Sequence, residues 1–239
     1  METMIKTSGL TRTFPLAGKA DSDVNSAQNS ITVLKGIDIE IPSHSLTILK
    51  GRSGSGKTTL LNILSALDLP STGTVEFAGR DMTKMTEGDR EQLRRLEMGY
   101  IFQAVALVPV MNVYENVEFS LRLSGYKGDR KARVEECLKR VGMSKRMTHM
   151  PSELSGGEQQ RVAIARALAH NPKVVFADEP TGALDTDNGL MVVKLFKELV
   201  EKEGVTIVMT THDPSLMQLG DVVFEMEDGE IHDRSDDSM

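Results

Sequence analysis

Between two apolar runs, Ile48-Leu49 and Leu60-Leu61-Asn62-Ile63-Leu64, lies the stretch Gly51-Arg52-Ser53-Gly54-Ser55-Gly56-Lys57-Thr58-Thr59. It satisfies the phosphate-loop pattern G-x-x-x-x-G-K-[ST] at every position, and its flanks predict the strand in front and the helix behind that the pattern requires. The glycines Gly51, Gly54 and Gly56, with Ser53 and Ser55 between them, let the backbone wrap a triphosphate with its N–H groups pointing inward. Lys57 then supplies a point charge for the β- and γ-phosphates, and the Thr58 hydroxyl is placed to ligate Mg²⁺, with Thr59 next in the helix. The positive end of the helix dipole acts on the same anion. A Gly/Ser-rich turn can be a plain connector, but a connector has no need of that lysine and threonine.

The rest of the chain is read around this loop. Ile5–Phe14 predicts a short strand with a basic-aromatic end, and 17–30 a polar surface loop, a hairpin tip with mobility. Ile31–Leu34, Ile37–Ile41 and Leu46–Leu49 are β-rich runs expected to make a small sheet leading into the loop. Beyond the helix from Lys57 to Ala66, strands are predicted at Gly73–Phe77 and Gly99–Phe102, with a charged helix at Asp89–Glu97 between them. From Ala104 to about Asn171 helix-forming segments dominate (Val113–Leu123, Arg130–Val141, Glu158–Ala169), which predicts a helical insert in an α/β core. Val174–Ala177 and Val205–Met209 are β-branched runs of the kind buried in parallel sheets, separated by a helix over Asn188–Glu201. The alternation predicts one α/β nucleotide-binding unit over 1–239 with a parallel sheet, ending in a polar, disordered tail at 233–239.

Composition removes several function classes. At 239 residues, with 39% hydrophobic and 26% charged residues, the chain has enough material for a core without disulfide or metal staples. No apolar run is long enough to cross a bilayer and the first residues carry no apolar signal core, so a cytoplasmic location is expected. The single cysteine, Cys137, lies on a helical pattern and is read as a small core residue. A net charge of −7, no tryptophan and 4% aromatic residues argue against a nucleic-acid binder, which needs Lys/Arg for phosphates and rings for bases. The 14 methionines sit mostly within apolar patterns as core filling.

Two further constellations carry chemistry. Val174-Val175-Phe176-Ala177 ends in the adjacent carboxylates Asp178-Glu179, followed by Pro180. Asp178 fits the acidic residue that holds Mg²⁺ opposite the loop's threonine, and Glu179 is placed to orient or deprotonate the water attacking the γ-phosphate. Adjacent acids at a strand end are often only a solvated turn, but these follow four apolar residues and a complete phosphate loop. The second is Leu154-Ser155-Gly156-Gly157-Glu158-Gln159 before a long alanine-rich helix, another anion-receptive helix start. Alone it reads as an N-cap; two such starts in one chain point to two ends of one ligand.

Gly51–Thr58, Gln103, Leu154–Gln159, Asp178-Glu179, Ala183-Leu184-Asp185 and His212 stand in the order and spacing of an ABC-transporter ATP-binding cassette, which the chain resembles over essentially its whole length. The resemblance implies a P-loop NTPase fold: a RecA-like parallel-sheet core, a small N-terminal antiparallel β-subdomain and a helical subdomain at about 104–171. It implies ATP and Mg²⁺ as ligands, and a head-to-tail dimer in which ATP lies between one phosphate loop and Ser155, Gly156, Gly157 and Glu158 of the other copy. Gln103 looks like the Q-loop residue that contacts Mg²⁺ or the attacking water. Asp185 resembles the residue that communicates across the dimer, and His212 the switch histidine that contacts the γ-phosphate. Phe14 stands where an aromatic ring stacks on adenine, with a plain core phenylalanine as the alternative. His44, His149, His170 and His232 match no motif and are read as structural.

The strings Ala177–Asp185, Phe102-Gln103 with Leu107-Val108-Pro109, and Val113–Val117 look like the branch of lipoprotein-releasing, macrolide- and peptide-exporting and cell-division cassettes. Leu107-Val108 and Met111-Asn112 depart from that branch's usual Leu-Leu-Pro and Leu-Thr. The resemblance thus implies an ATPase subunit, as a homodimer, peripheral to the cytoplasmic face of the cell membrane and working a separate transmembrane permease. Two rival readings are a soluble ABC ATPase acting on DNA or ribosomes, which lacks support here because no coiled-coil insertion or second cassette is present, and a nucleotide sensor with negligible hydrolysis, disfavoured by the complete catalytic set.

Overall fold

Leu46–Lys50, the strand before the phosphate loop, is buried on both faces, and so are Val174–Ala177 and Thr206–Thr211. Strands of that kind need cover on two sides, which a parallel sheet with layers on either face provides. In the computed structural model, which describes residues 2–16, 30–182 and 184–232, that is the arrangement. The strands in chain order are β1 (Thr3–Pro15), β2 (Ser30–Ile37), β3 (Glu40–Pro42), β4 (Leu46–Lys50), β5 (Thr72–Phe77), β6 (Arg80–Asp81), β7 (Met98–Ile101), β8 (Val174–Ala177), β9 (Thr206–Thr211), β10 (Val222–Glu227) and β11 (Glu230–His232). The helices are α1 (Lys57–Leu64), α2 (Glu87–Glu97), α3 (Val113–Ser124), α4 (Arg130–Arg140), α5 (Gly156–Leu168) and α6 (Thr186–Glu203).

One sheet has the order β11-β10-β4-β9-β8-β7, parallel from β10 to β7, with β11 folding back antiparallel at the edge. The other is antiparallel, β2-β1-β5-β6, with β3 also paired to β1. Here the expectation for the three early β-rich runs is corrected. The first two join the antiparallel sheet as β2 and β3, whereas Leu46–Lys50 lies between β10 and β9 in the parallel sheet. Its registers, Leu46 opposite Ile207 and Thr47 opposite Val222, are set by partners far along the chain, which no local pattern encodes.

Alternation along β4 divides the core. Leu49 faces a cluster with Leu60, Leu61, Ile63 and Leu64 of α1 and with Ile5, Leu34 and Phe77 of the antiparallel sheet. Leu46 and Ile48 face the other cluster, built by α3, α4, α5 and α6. The helices expected as an insert are therefore bracketed by β7 and β8, neighbouring strands, and Val117, Leu138 and Ile164 share a core with Ile101 and Ile207 of the sheet. Phe102 has left β7 and is exposed. The predictions for the 17–30 loop, apart from Ser30, which opens β2, and for the 233–239 tail lie outside the described residues, as does Ala183. Cys137 is buried in the helical cluster, and burial pushes its thiol up.

Candidate nucleotide site

Ligands of open α/β sheets lie beyond the carboxyl ends of the strands, and there the candidate residues meet. The loop 51–56 leaves β4, Gln103 follows β7, Asp178 and Glu179 follow β8, and His212 follows β9. Together Arg52, Ser53, Gly54, Gly56, Lys57, Thr58, Thr59, Gln103, Glu179 and His212 line an open cleft of about 670 Å³, with Val33 of β2 as its apolar wall.

The phosphate loop is held from within. Lys57 is 5% exposed and its Nζ donates to the carbonyls of Gly51 and Arg52, both at 2.9 Å, which folds the loop over the lysine stem. Gly56, the N-cap of α1, has φ of 103° and brings no side chain to the first helical N–H groups. Those groups open on the cleft, with the dipole of α1 behind them. Ser55 is buried, and among the described residues its Oγ has no hydrogen-bond partner.

Across the cleft, Thr58 Oγ1 donates to Asp178 Oδ1 at 3.1 Å. The same Oδ1 accepts from Thr210 Oγ1 at 2.8 Å, and that hydroxyl accepts the Glu179 N–H at 2.8 Å. Glu179 has φ of 42°, a left-handed backbone that a side chain with a Cβ rarely adopts. Its carboxylate sits among three cleft groups: Oε1 lies 3.9 Å from Lys57 Nζ, while Oε2 accepts from Gln103 Nε2 at 3.1 Å and lies 3.5 Å from His212 Nδ1. Burial, and then the charge of Asp178, push the Tyr100 hydroxyl up; it donates to Asn62 Oδ1 of α1 at 2.9 Å.

Hard oxygen donors suit Mg²⁺, which keeps several waters and takes one or two protein oxygens plus substrate phosphates. The Thr58 hydroxyl and the Asp178 carboxylate, already in contact, fit that need. No cluster of three or more His, Cys, Asp or Glu able to hold a metal by itself occurs among the described residues.

Other predicted residues fall elsewhere. Ser155 is the N-cap of α5: its Oγ accepts the Glu158 N–H at 3.3 Å, while Glu158 Oε2 accepts from the Ser155 N–H at 2.9 Å and from its Oγ at 3.0 Å. Neither Ser155, Gly156, Gly157 nor Glu158 lines the cleft. Asp185 caps α6, taking the backbone and side-chain N–H groups of Asn188 at 2.9 and 2.7 Å, which holds its carboxyl below the usual range. It joins Glu179 and His212 in lining a smaller neighbouring cavity of about 150 Å³. Phe14 lies opposite Ile31 on the antiparallel sheet and is not among the cleft-lining residues; the Arg12 guanidinium covers its ring at 4.5 Å while pairing with Asp68 at 2.8 Å. Sequence reasoning passed over Val33 and Thr210, which look like ordinary β-branched strand residues. The available signal for Thr210 was its place among the last residues of a buried strand that carries threonines at both ends.

Comparison with known proteins gives the family. Residues 34–182 match the family described as ABC transporter. The ABC transporter ATP-binding protein YtrE of Bacillus subtilis is 42% identical over 203 residues, 84% of this chain and 88% of that one. The lipoprotein-releasing system ATP-binding protein LolD 2 of Rhodopirellula baltica is 44% identical over 212 residues, 86% of this chain and 83% of its own. The macrolide export ATP-binding/permease protein MacB of Wolinella succinogenes is 42% identical over 98% of this chain, which spans only 35% of that longer protein. Among solved structures, the dimeric post-hydrolysis state of the ATP-binding cassette MJ0796 bound to ADP and Pi superposes with a TM-score of 0.85 at 36% identity, covering 96% of this chain and 97% of that one. The chain belongs to the ABC transporter family, as one of its ATP-binding subunits.

Proposed function

We propose that this subunit hydrolyses ATP with Mg²⁺ at a site shared by two copies of the chain, and that opening and closing of the pair drives a separate transmembrane permease. The observation that carries the reading is the convergence of Lys57 and Thr58, after β4, with Asp178 and Glu179, after β8, at one cleft. Mg²⁺ would supply positive charge there to neutralise that developing on the phosphates. Lys57 and the first N–H groups of α1 hold the phosphates, and Thr58 and Asp178 hold the metal. Glu179 takes the proton of the attacking water as its oxygen bonds to the γ-phosphorus and the bond to the β-phosphate oxygen of ADP breaks. Gln103 and His212, both against the Glu179 carboxylate, orient the water and the γ-phosphate.

The second copy supplies Ser155, Gly156 and Gly157, with Glu158 bracing Ser155 and Asp185 acting beside the junction. The exposed placement of Ser155 and Gly156 outside their own cleft supports this, as does the dimeric state of the MJ0796 cassette. Phe14 is assigned to the adenine ring. No helix among the described residues is long and apolar enough to cross a membrane; the proposal places the subunit at the cytoplasmic face, held there by the permease. The lipoprotein-releasing and macrolide-export relatives support an export or mechanotransmission role. Glu179→Gln should keep ATP binding, lower turnover about 10²- to 10⁴-fold and accumulate an ATP-bound dimer; full turnover by that variant removes Glu179 from its role.

A further inference from the structure

The geometry points to Thr210 as a positioning residue for hydrolysis, one whose hydroxyl fixes both the base and the metal-holding carboxylate. The inference rests on the role proposed for Glu179 and deepens it. Thr210 is the penultimate residue of β9 and is fully buried between β4 and β8. A hydroxyl there must find partners or cost the strand its stability. Its proton goes to Asp178 Oδ1 at 2.8 Å and its lone pair takes the Glu179 N–H at 2.8 Å. One buried oxygen thus ties together the two acids that follow β8.

The second half of the argument is the backbone of Glu179. At φ of 42° it holds a conformation disfavoured for a residue with a Cβ, and such a residue persists only where its surroundings over-determine it. The constraints are visible on both sides: Thr210 Oγ1 takes the N–H, and the Glu179 carbonyl accepts from the Gly182 N–H at 3.0 Å. Without the hydroxyl, the peptide entering Glu179 has no anchor from β9 and is free to relax toward negative φ. That swings the carboxylate away from Lys57, Gln103 and His212. Asp178 keeps the Thr58 contact, so nucleotide and metal still bind while the base is out of line.

Thr210→Val replaces the hydroxyl by a methyl group of nearly the same shape, and Thr210→Ser keeps the hydroxyl. In steady-state ATPase assays of the full chain, Thr210→Val should lose on the order of tenfold in kcat or more with KM for ATP within about twofold, since a base moved out of line costs rate rather than binding. Thr210→Ser should recover most of that loss, and the Thr210→Val dimer formed with ATP should persist longer on size-exclusion chromatography than the unaltered one. Should Thr210→Val not fold, the same comparison is made between Thr210→Ala and Thr210→Ser. Unaltered kcat in Thr210→Val, an equal loss in Thr210→Ser, or a rise in KM without a fall in kcat overturns the inference. Glu179→Gln is measured alongside: if it turns over fully, the base assignment fails first; if it is dead while Thr210→Val is normal, only the role of Thr210 fails.

Discussion

Two helices of this protein begin at glycine-bearing turns that look alike in sequence and are built in opposite ways. At the start of α1, Gly56 is left-handed and uncapped, and the Lys57 ammonium is turned inward onto the carbonyls of Gly51 and Arg52. At the start of α5, Ser155 and Glu158 close a reciprocal capping box in which Ser155 Oγ both accepts and donates. The first leaves its N–H groups for a ligand; the second satisfies the Glu158 N–H by itself, while no side chain among the described residues caps those of Gly156 and Gly157. A self-satisfied helix start on the surface holds its shape without nucleotide, which suits a part that waits for a partner's ligand, whereas an open one needs its own anion to be complete.

Adding a single methyl group tests the contrast. At Gly56 a Cβ would meet the Met226 side chain at 2.9 Å, that of Leu34 at 3.1 Å and the Val33 carbonyl at 3.2 Å, on a backbone at φ of 103°. Gly56→Ala should therefore cost about 2 kcal/mol of stability, read in urea melts, and weaken ATP binding by more than about tenfold as the cradle distorts. At Gly156 a Cβ would meet nothing within 4 Å. Gly156→Ala should leave folding and ATP binding by the monomer unchanged, or raise stability by about 0.5 kcal/mol. Turnover should nonetheless fall about tenfold, because the methyl group stands where the partner's γ-phosphate must approach a backbone N–H. Normal turnover in Gly156→Ala breaks the comparison, since α5 would then be only a capped surface helix.

The same pair shows what was legible in advance. Lys57, Thr58, Gly54 and Gly56 are encoded locally, by a motif whose backbone geometry is its function, and they line the cleft, whereas Gly51 lies outside that lining. Asp178 and Glu179 were readable because four apolar residues deliver them to a strand end. What was not readable depends on pairing between distant strands. Leu46–Lys50 enters the parallel sheet through β9 and β10, and the latter, only partly buried, was not anticipated at all. Thr210 acquires its partners only because β9 lies beside β8 in register, Ala177 opposite Met209. The Arg12 guanidinium over Phe14 follows from two residues on one face of a strand, a spacing open to inspection and passed over.

The smallest expected effect separates the two helix starts by pH. Backbone and side-chain hydrogen bonds from Ser155, with Arg146 3.3 Å away, hold the Glu158 carboxyl below its ordinary value of 4.5. A carboxyl lowered on folding contributes stability that is complete above its unfolded value and is lost as pH falls through the folded one. Solvent screening at this surface position keeps the contribution to about 0.5 kcal/mol. Glu158→Gln should therefore melt slightly below the unaltered chain above about pH 5, and the two melting curves should converge as pH falls below the ordinary carboxyl range. ATP binding by the monomer should be the same in Glu158→Gln and in the unaltered chain at each pH, because Glu158 does not line the cleft at the start of α1. A melting difference that instead widens toward acid pH means that the capping box is not held by the ionised carboxylate, and the distinction between a self-satisfied and an open helix start loses its electrostatic half.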